Sequence, residues 1–453
     1  MVSIRRPPGP PSRGIVGNLP MASPDPLGLF SEWAHQYGDI FHYRVFNRHV
    51  YFVNHPDLIK EVLINQASNF IKGDAVRANR RIFGHGLLAN EGASWLRQRR
   101  LIQPAFHRKH IEAYANIMVQ YTQRMLAGWH DGEARDIHQN MMQLTLEIVS
   151  MALFSVEIAP EKDRVALALD DLMELSIGLR MLLPAPFRRF PTKKNRRYEA
   201  AIRSLDDIVY GLIRERQANP GASSKHGFHS EDLLGTLLQV RYEDGSAMAA
   251  EQLRDEVMTL LLAGHETTAV SLSWIWLLLS QHPEAEQKLW SELDQVLNGR
   301  SPTMRDLAAL PYTERVVQEA MRLYPPAWAI VRNAIEDCDI GGYRIPAKSP
   351  VIMSQWVMHH DRRFYDQPHS FLPDRWLDER LKTAPRFSYF PFGGGPRMCI
   401  GASFATTEAA LVLATIAQQY QIRVTSTEPI LRTPSITLRP RHGIPVTLTR
   451  RTN

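Results

Sequence analysis

The chain has 453 residues, 44% hydrophobic and 22% charged, with 53 Lys and Arg against 47 Asp and Glu for a net charge of +6. This is an ordinary soluble globular composition with ample apolar material for a sizeable core, and its charge excess is too small to argue for nucleic acid. Two cysteines, Cys338 and Cys399, exclude a disulfide framework, and no CxxC pair is present for zinc or redox cycling, so a reducing, cytoplasmic setting is expected.

Residues 1–24 are rich in proline and hold no apolar core segment, which reads as neither a signal peptide nor a membrane anchor. IFHYRVFNRHVYFVNHP follows, with aromatic and β-branched residues in alternation, and predicts a short hairpin. Helical periodicity runs from about Ser94 to Val156 and resumes over Arg164 to Leu183. Prolines and basic residues break it at LLPAPFRRFPTKKNRR, and ANPGASSKHGFHSED reads as an exposed loop. The longest predicted helix covers Ala250 to Gln281 and is closed by Pro283. A second starts there and ends at Asn298-Gly299, and a third spans Tyr312 to Tyr324 before Pro325-Pro326. IGGYRIPAKSPVIMSQ reads as short strands around turns. The longest strongly apolar stretch, Ala269 to Leu279, is too short to span a bilayer, so no transmembrane anchor is expected. The expectation is a mostly α, monomeric chain forming one large domain over 1–453, with a small β-rich portion from the hairpin and the segment after Tyr324.

FPFGGGPRMCIG, Phe390 to Gly401, places three glycines, a proline and an arginine ahead of one cysteine. The segment after Gly401, ASFATTEAALVLATIAQQY, predicts a helix, so Cys399 would lie at a helix N-terminal end, where the dipole favours a thiolate. Glycines 393 to 395 let the backbone turn tightly against something flat and bulky, Phe392 offers an aromatic wall, and Arg397 suits an anionic group. Gly401 removes a side chain on the cysteine's side. A thiolate, a flat neighbour and an anion together describe a haem with its propionates; the alternative is a free cysteine buried behind a glycine-rich turn.

The pattern Phe392-x-x-Gly395-x-Arg397-x-Cys399-x-Gly401 resembles the haem-binding loop of the cytochrome P-450 haem-thiolate monooxygenases. Three further segments extend the resemblance over nearly the whole chain. AGHETT, Ala263 to Thr268, puts Ala263, Gly264 and Thr267 on one helix face and a Thr able to bond back into its helix; taken alone it could equally be a polar ridge between packed helices. The resemblance makes it the oxygen-activation segment, with Glu266 and Thr267 as the acid–alcohol pair. EAMRLYPP sets Glu319 and Arg322 three apart, by default an exposed salt bridge. The family carries this pair as a buried network with a downstream arginine, here Arg375 in FLPDRW, although the commoner Glu-Arg-Phe is replaced by Asp374-Arg375-Trp376. SWLRQRR sets Trp95 and Arg99 on one face, which suits a propionate or a basic surface helix, and Arg332 matches another propionate-binding arginine of the family.

The implied fold is the mostly α, single-domain fold of that family, and the implied cofactor is haem b with Cys399 as axial thiolate, pushing electron density to the iron. The implied reaction inserts one atom of dioxygen into a C–H bond, with Thr267 and Glu266 delivering protons. With about fifty residues after the loop and no room for a fused reductase domain, electrons from NAD(P)H would arrive through a separate ferredoxin or flavodoxin and its reductase. Arg97, Arg100, Arg108 and Lys109 are docking candidates for such an acidic donor, or simply a solvated face. The pocket would draw on Arg77 to Leu88, the helices flanking Leu182 to Pro191, the residues around Ala263, Ala327 to Val331 and Ser435 to Leu438, with Ala263, Thr267, Trp328, Ile330, Val331 and Ile436 as the candidate contacts. That lining is mostly apolar and implies a lipophilic substrate; the layout resembles bacterial members acting on fatty acids, carotenoids or other terpenoids. Arg48 could meet a carboxylate at a channel mouth or be an exposed hairpin residue, and the basic Phe187 to Arg197 loop could touch an anionic membrane. The rival readings are a hydrogen-peroxide-dependent peroxygenase, a haem-thiolate isomerase or dehydratase, and a non-catalytic haem or gas-binding protein.

Overall fold

The computed structural model describes residues 6–12, 14–158, 161–175, 192–218, 232–242 and 245–451. In chain order the longer helices are α1 (Pro26–Tyr37), α2 (Gly92–Ile102), α3 (Arg108–Leu126), α4 (Ile137–Phe154), α5 (Lys162–Leu175), α6 (Lys193–Ala218), α7 (Leu233–Gln239), α8 (Ala250–Gln281), α9 (Pro283–Leu297), α10 (Pro311–Leu323) and α11 (Ala402–Ala417). The strands are β1 (Ile40–Val45), β2 (Arg48–Val53), β3 (Phe70–Lys72), β4 (Ala134–Asp136), β5 (Ile330–Ala334), β6 (Cys338–Ile340), β7 (Tyr343–Ile345), β8 (Pro350–Met353), β9 (Tyr420–Val424), β10 (Arg432–Pro434), β11 (Leu438–Pro440) and β12 (Pro445–Arg450). The chain is thus mostly α with a smaller β portion, as expected. The segment 182–191 and the loop 219–231 lie outside the described residues.

Local chemistry sets the helix boundaries. Asp25 caps α1 by accepting from Gly28 N, with Pro26 at the first helical position. Asp136 caps α4 by accepting from His138 N and Gln139 N, and α4 stops at Ser155 in the left-handed region, φ 54°. Pro283 opens α9, and Asn298, φ 46°, closes it. These signals are readable in sequence, and the predicted bounds of α8 and α9 coincide with those observed. Strand β4 and the C-terminal strands β9 to β12 were not anticipated; β4, β10 and β11 are three residues apiece.

By packing, the chain divides into two compact units. The first comprises 1–78 and 319–399. It holds a five-stranded sheet in the order β1-β2-β8-β5-β3, in which β2 and β8 run parallel (Tyr51 opposite Val351) and the other neighbours antiparallel. Strands β6 and β7 form a separate hairpin. The hydrophobic core of this unit collects Tyr51, Val53, Leu63, Phe70, Val351 and Met353 with Phe387 and Phe390, so the lead-in to the cysteine loop is part of the core itself.

The second unit comprises 79–318 and 400–453 and carries most of the helices. Its sheet has the order β4-β12-β9, and β10 pairs with β11. Helix α8 is buried along nearly its whole length, including Trp274 and Trp276, which is why its pattern reads apolar on almost every face. Trp274 Nε1 donates to the Leu438 carbonyl at 2.7 Å, tying β11 to α8. Among the described residues, no helix is long and apolar enough to cross a membrane.

Candidate active site

The cysteine loop is closed by its own backbone. Gly393 N donates to Phe390 O at 2.9 Å, Met398 N to Gly395 O at 3.1 Å, and Cys399 N to Phe392 O at 3.0 Å. Gly395 sits at φ 67°, and a Cβ there would overlap the Leu63 carbonyl oxygen, so only glycine lets the loop lie on that backbone. Phe387 and Phe390 anchor the lead-in from below. The loop leaves the Cys399 thiol exposed, and α11 begins three residues later at Ala402 with Gly401 as its cap. Cys338 differs in every respect: it is buried, and burial pushes its thiol pKa up. Arg397 donates from Nη1 to the Ala67 carbonyl at 3.2 Å. Arg332 lies on β5 opposite Lys72 of β3 and Val351 of β8, and Ile330 packs toward Gly393.

Behind the loop lies an ionic network. Of the two sequence readings of Glu319 and Arg322, the exposed salt bridge does not hold and the buried network with Arg375 does: both side chains are fully buried. Arg322 binds Glu319 bidentately, with Nε–Oε2 and Nη2–Oε1 both at 2.9 Å. Arg375 Nε reaches Glu319 Oε1 at 2.8 Å, and its other nitrogens donate to the carbonyls of Asp366, Gln367 and Ser370. Leu372 N and Trp376 Nε1, each at 3.1 Å, complete the set of donors around Glu319. The tryptophan that stands where the family has phenylalanine therefore adds an indole donor to the carboxylate.

The network reaches the loop through a histidine that sequence reasoning missed. Arg322 Nη1 donates to the His359 carbonyl at 2.8 Å, and His359 Nε2 accepts from Phe390 N at 3.0 Å. Burial, with the Arg322 charge beside it, takes the His359 pKa down to about 3, so the ring stays neutral and Nε2 remains an acceptor. Tyr365 supports the adjacent turn by donating to the Ser388 carbonyl at 3.0 Å. The run His359-His360-Asp361 is in plain view in the sequence, but nothing in a histidine pair announces burial.

In the second unit, the middle of α8 carries the acid–alcohol pair. Thr267 Oγ1 donates back to the Ala263 carbonyl at 2.8 Å, as its position suggested. Glu266 is buried; its Oε1 accepts from Thr437 Oγ1 at 2.5 Å and lies 3.2 Å from Arg439 Nε. Thr437 immediately precedes β11 and Arg439 lies within it, and no local pattern pairs either with Glu266. His265 clamps this stretch to α4: Nε2 meets the Met142 carbonyl at 2.9 Å, and the His265 carbonyl accepts from Thr145 Oγ1 at 3.1 Å. Burial holds His265 near pKa 3, with the nearby Arg439 charge acting in the same direction. The space opened by Gly264 is taken by α4, since a Cβ there would lie 2.8 Å from Val149 Cγ2. That glycine serves helix packing, while Ala263 is exposed and Thr267 partly so.

A second unanticipated group is Glu408 on α11. Its carboxyl is fully buried with the Thr268 hydroxyl beside it, and burial pushes its pKa well above the usual carboxylate range. On α2, Trp95 is buried and the Arg99 guanidinium lies 5.8 Å over its ring, so this pair does share one face. Arg97, Arg100, Arg108 and Lys109 are all exposed, but the Arg97 guanidinium rests 4.5 Å over the Tyr242 ring. Of the other pocket candidates, Trp328 stacks on Phe30 with centroids 6.3 Å apart, Val331 packs on Gly73, and Ile436 is exposed. Arg48 is engaged by Asp74 at 2.6 Å.

Comparison with known proteins agrees with these features. A family model described as Cytochrome P450 matches residues 7–446. Cyclooctatin synthase of Streptomyces melanosporofaciens is 37% identical over 421 residues, covering 91% of this chain and 87% of that protein. Cyclooctat-9-en-7-ol 5-monooxygenase of the same organism is 36% identical over 391 residues, covering 85% and 83%. Pentalenene oxygenase of Streptomyces avermitilis is 36% identical over 412 residues, covering 90% of each. The chain is an oxidoreductase and belongs to the cytochrome P450 family.

Proposed function

We propose that the protein is a haem-thiolate monooxygenase that hydroxylates a lipophilic, terpenoid-like small molecule. The observation that carries the reading is the Cys399 loop: an exposed thiol on a turn that glycine alone permits, fixed to a buried core and an ionic network. The residues fit a haem. A single thiol gives an axial ligand, and the guanidiniums of Arg332, Arg397 and Arg99 with the Trp95 indole give cationic and N–H donors for carboxylates. Phe392, Gly395 and Gly401 would line the same ligand, with Ala263 beside its oxygen-binding face. When bound, the haem supplies activation of dioxygen and transfer of one oxygen atom to carbon.

The chain's own contribution is to hold the ligand, to exclude water and to manage protons. Glu266 is the acid and Thr267 the alcohol of the proton path. Glu266 Oε1 is engaged by Thr437 and Arg439, so delivering a proton requires the carboxyl to exchange at least one of these partners. Electrons would come from NAD(P)H through a separate ferredoxin or flavodoxin, a reading supported by the exposed Arg100, Arg108 and Lys109. Trp328, Ile330, Val331 and Ile436 remain candidates for contact with substrate. The substrate class is supported by the names of the relatives, one a monooxygenase of cyclooctat-9-en-7-ol and another an oxygenase of pentalenene.

The test is turnover of a panel of cyclic terpene hydrocarbons and alcohols with a surrogate ferredoxin and reductase under isotopically labelled dioxygen. One labelled oxygen atom in the product supports the proposal. Product formed only with peroxide would indicate a peroxygenase, and haem binding without product under either regime would favour a non-catalytic role.

A further inference from the structure

The first turns of α8 carry three charged side chains that the catalytic reading does not use. Arg254, Asp255 and Glu256 are 6%, 8% and 0% exposed. They meet the backbone of the turn 82–88, which belongs to the same unit. Arg254 Nη1 donates to the Ile82 carbonyl at 2.6 Å, His85 N to Asp255 Oδ2 at 2.7 Å, and Leu87 N to Glu256 Oε2 at 2.8 Å. Gln252 Nε2 completes the set by donating to the His85 carbonyl at 3.1 Å and to Glu256 Oε1 at 2.8 Å. Arg254 also donates to Asp255 Oδ1 at 2.9 Å and, from Nε, to Asp206 Oδ1 of α6 at 2.7 Å.

The glycines of Phe83-Gly84-His85-Gly86-Leu87 let this backbone lie directly on the helix. Gly84 is at φ 50°, and a Cβ there would overlap the Asp255 carboxylate. A Cβ on Gly86 would overlap Thr259 Oγ1 and the Asp255 carbonyl oxygen. Ile82, Phe83 and Leu87 are buried, so apolar side chains pin the turn between its polar bonds. Leu88, 37% exposed, is the apolar group it leaves open. Thr259, against which Gly86 rests, lies one helical turn before Ala263 and two before Thr267, on the same face of α8. The turn therefore adjoins the helix face on which the proposed reaction takes place.

Loop amides commonly open to solvent at little cost. Here two of them end on buried carboxylates, and charge-assisted bonds of this kind are the strong ones. Lifting the turn would leave those carboxylates inside the protein without their donors, which makes opening unfavourable. We propose that Asp255 and Glu256 are specificity-determining residues: they lock the turn 82–88 as a fixed wall, so the site selects rigid polycyclic lipophiles over flexible acyl chains. A fixed wall accepts a skeleton whose shape already fits, whereas a flexible chain must give up conformational freedom to match it. The selection rests on the proposed reaction site; the lock does not.

The experiment combines hydrogen–deuterium exchange over peptides spanning 82–90 with Soret-shift titrations of the haem-loaded full chain by cedrol, a tricyclic alcohol, and by lauric acid. In ligand-free wild type the amides of His85 and Leu87 should exchange about a hundredfold or more slower than in an unstructured peptide. In Glu256→Gln the side-chain carbonyl can serve only one of the two donors, so exchange should quicken by about tenfold or more. The preference for cedrol, read as the ratio of the two dissociation constants, should fall by about tenfold in the same variant. Exchange across 141–154 of α4 should stay unchanged, which checks the fold. Fast exchange at 82–90 in ligand-free wild type would overturn the lock without any variant, as would unchanged exchange in a folded Glu256→Gln. Quickened exchange with an unchanged preference, or a wild type that binds lauric acid as tightly as cedrol, would overturn the selection. Slow exchange with no Soret shift from either ligand would contradict the proposed reaction site while upholding the lock.

Discussion

Glu319→Gln is the sharpest test of the idea that the buried ionic network holds the cysteine loop. Glu319 Oε1 accepts from Arg322 Nη2, Arg375 Nε and Leu372 N, and Oε2 from Arg322 Nε and Trp376 Nε1. Glutamine keeps the shape but replaces one oxygen by an NH2 group. At Oε2 that amide would face two donors, at Oε1 three, and both guanidiniums would lose their carboxylate partner. Removing one member of a buried pair costs about 3–5 kcal/mol. That is a large share of a typical folding stability of roughly 5–15 kcal/mol. The assay is urea denaturation followed by tryptophan fluorescence and circular dichroism, with the midpoint shift converted through the slope. Trp376→Phe, which removes one donor and leaves the ion pairs, should cost only about 1–2 kcal/mol. The exposed pair Lys382–Glu379 serves as a control, where Glu379→Gln should stay within about 1 kcal/mol. If Glu319→Gln lost no more than that control, the network would not be a support of the fold.

Three further outcomes are expected. Gly395→Ala combines a left-handed φ with overlap of the Leu63 carbonyl, so it should cost about 3 kcal/mol or more and reduce haem retention, read from the pigment bound after purification. Glu408 is held neutral by burial, so its folded pKa is raised and its stabilising effect is full below the unfolded carboxylate pKa and lost as pH rises toward the folded value. Glu408→Gln should therefore gain on wild type as pH rises above the unfolded carboxylate pKa of about 4.3, by at most about 1.4 kcal/mol per pH unit; parallel denaturation curves would contradict this. Arg439 positions Glu266, so Arg439→Gln should lower product formed per electron pair by about tenfold or more while leaving substrate-binding spectra unchanged, and Glu266→Gln should not add to it in the double variant. Additive losses would separate the two residues.

What the sequence made legible follows from range. Helix α8 announced its C-terminal end because the stop signal, Pro283, is local, and the cysteine loop announced itself because a glycine-rich turn needs particular residues at fixed spacing. Thr267 was legible for the same reason, its bond to Ala263 being one turn away. The partners of Glu266 were not, since Thr437 and Arg439 lie about 170 residues on and no local pattern links them. His359 and Glu408 were missed because burial of a titratable side chain is decided by tertiary packing. Gly264 was grouped with Ala263 and Thr267 on the oxygen-activation face, whereas a side chain there would meet Val149 of a neighbouring helix.

The most direct test of the central claim is the reduced, carbon monoxide-bound absorption spectrum of the purified protein beside Cys399→Ala. The account predicts a strongly red-shifted Soret band in wild type that is lost in the variant. A band without that shift, or one that survives in Cys399→Ala, would contradict the assignment of Cys399 as the axial thiolate.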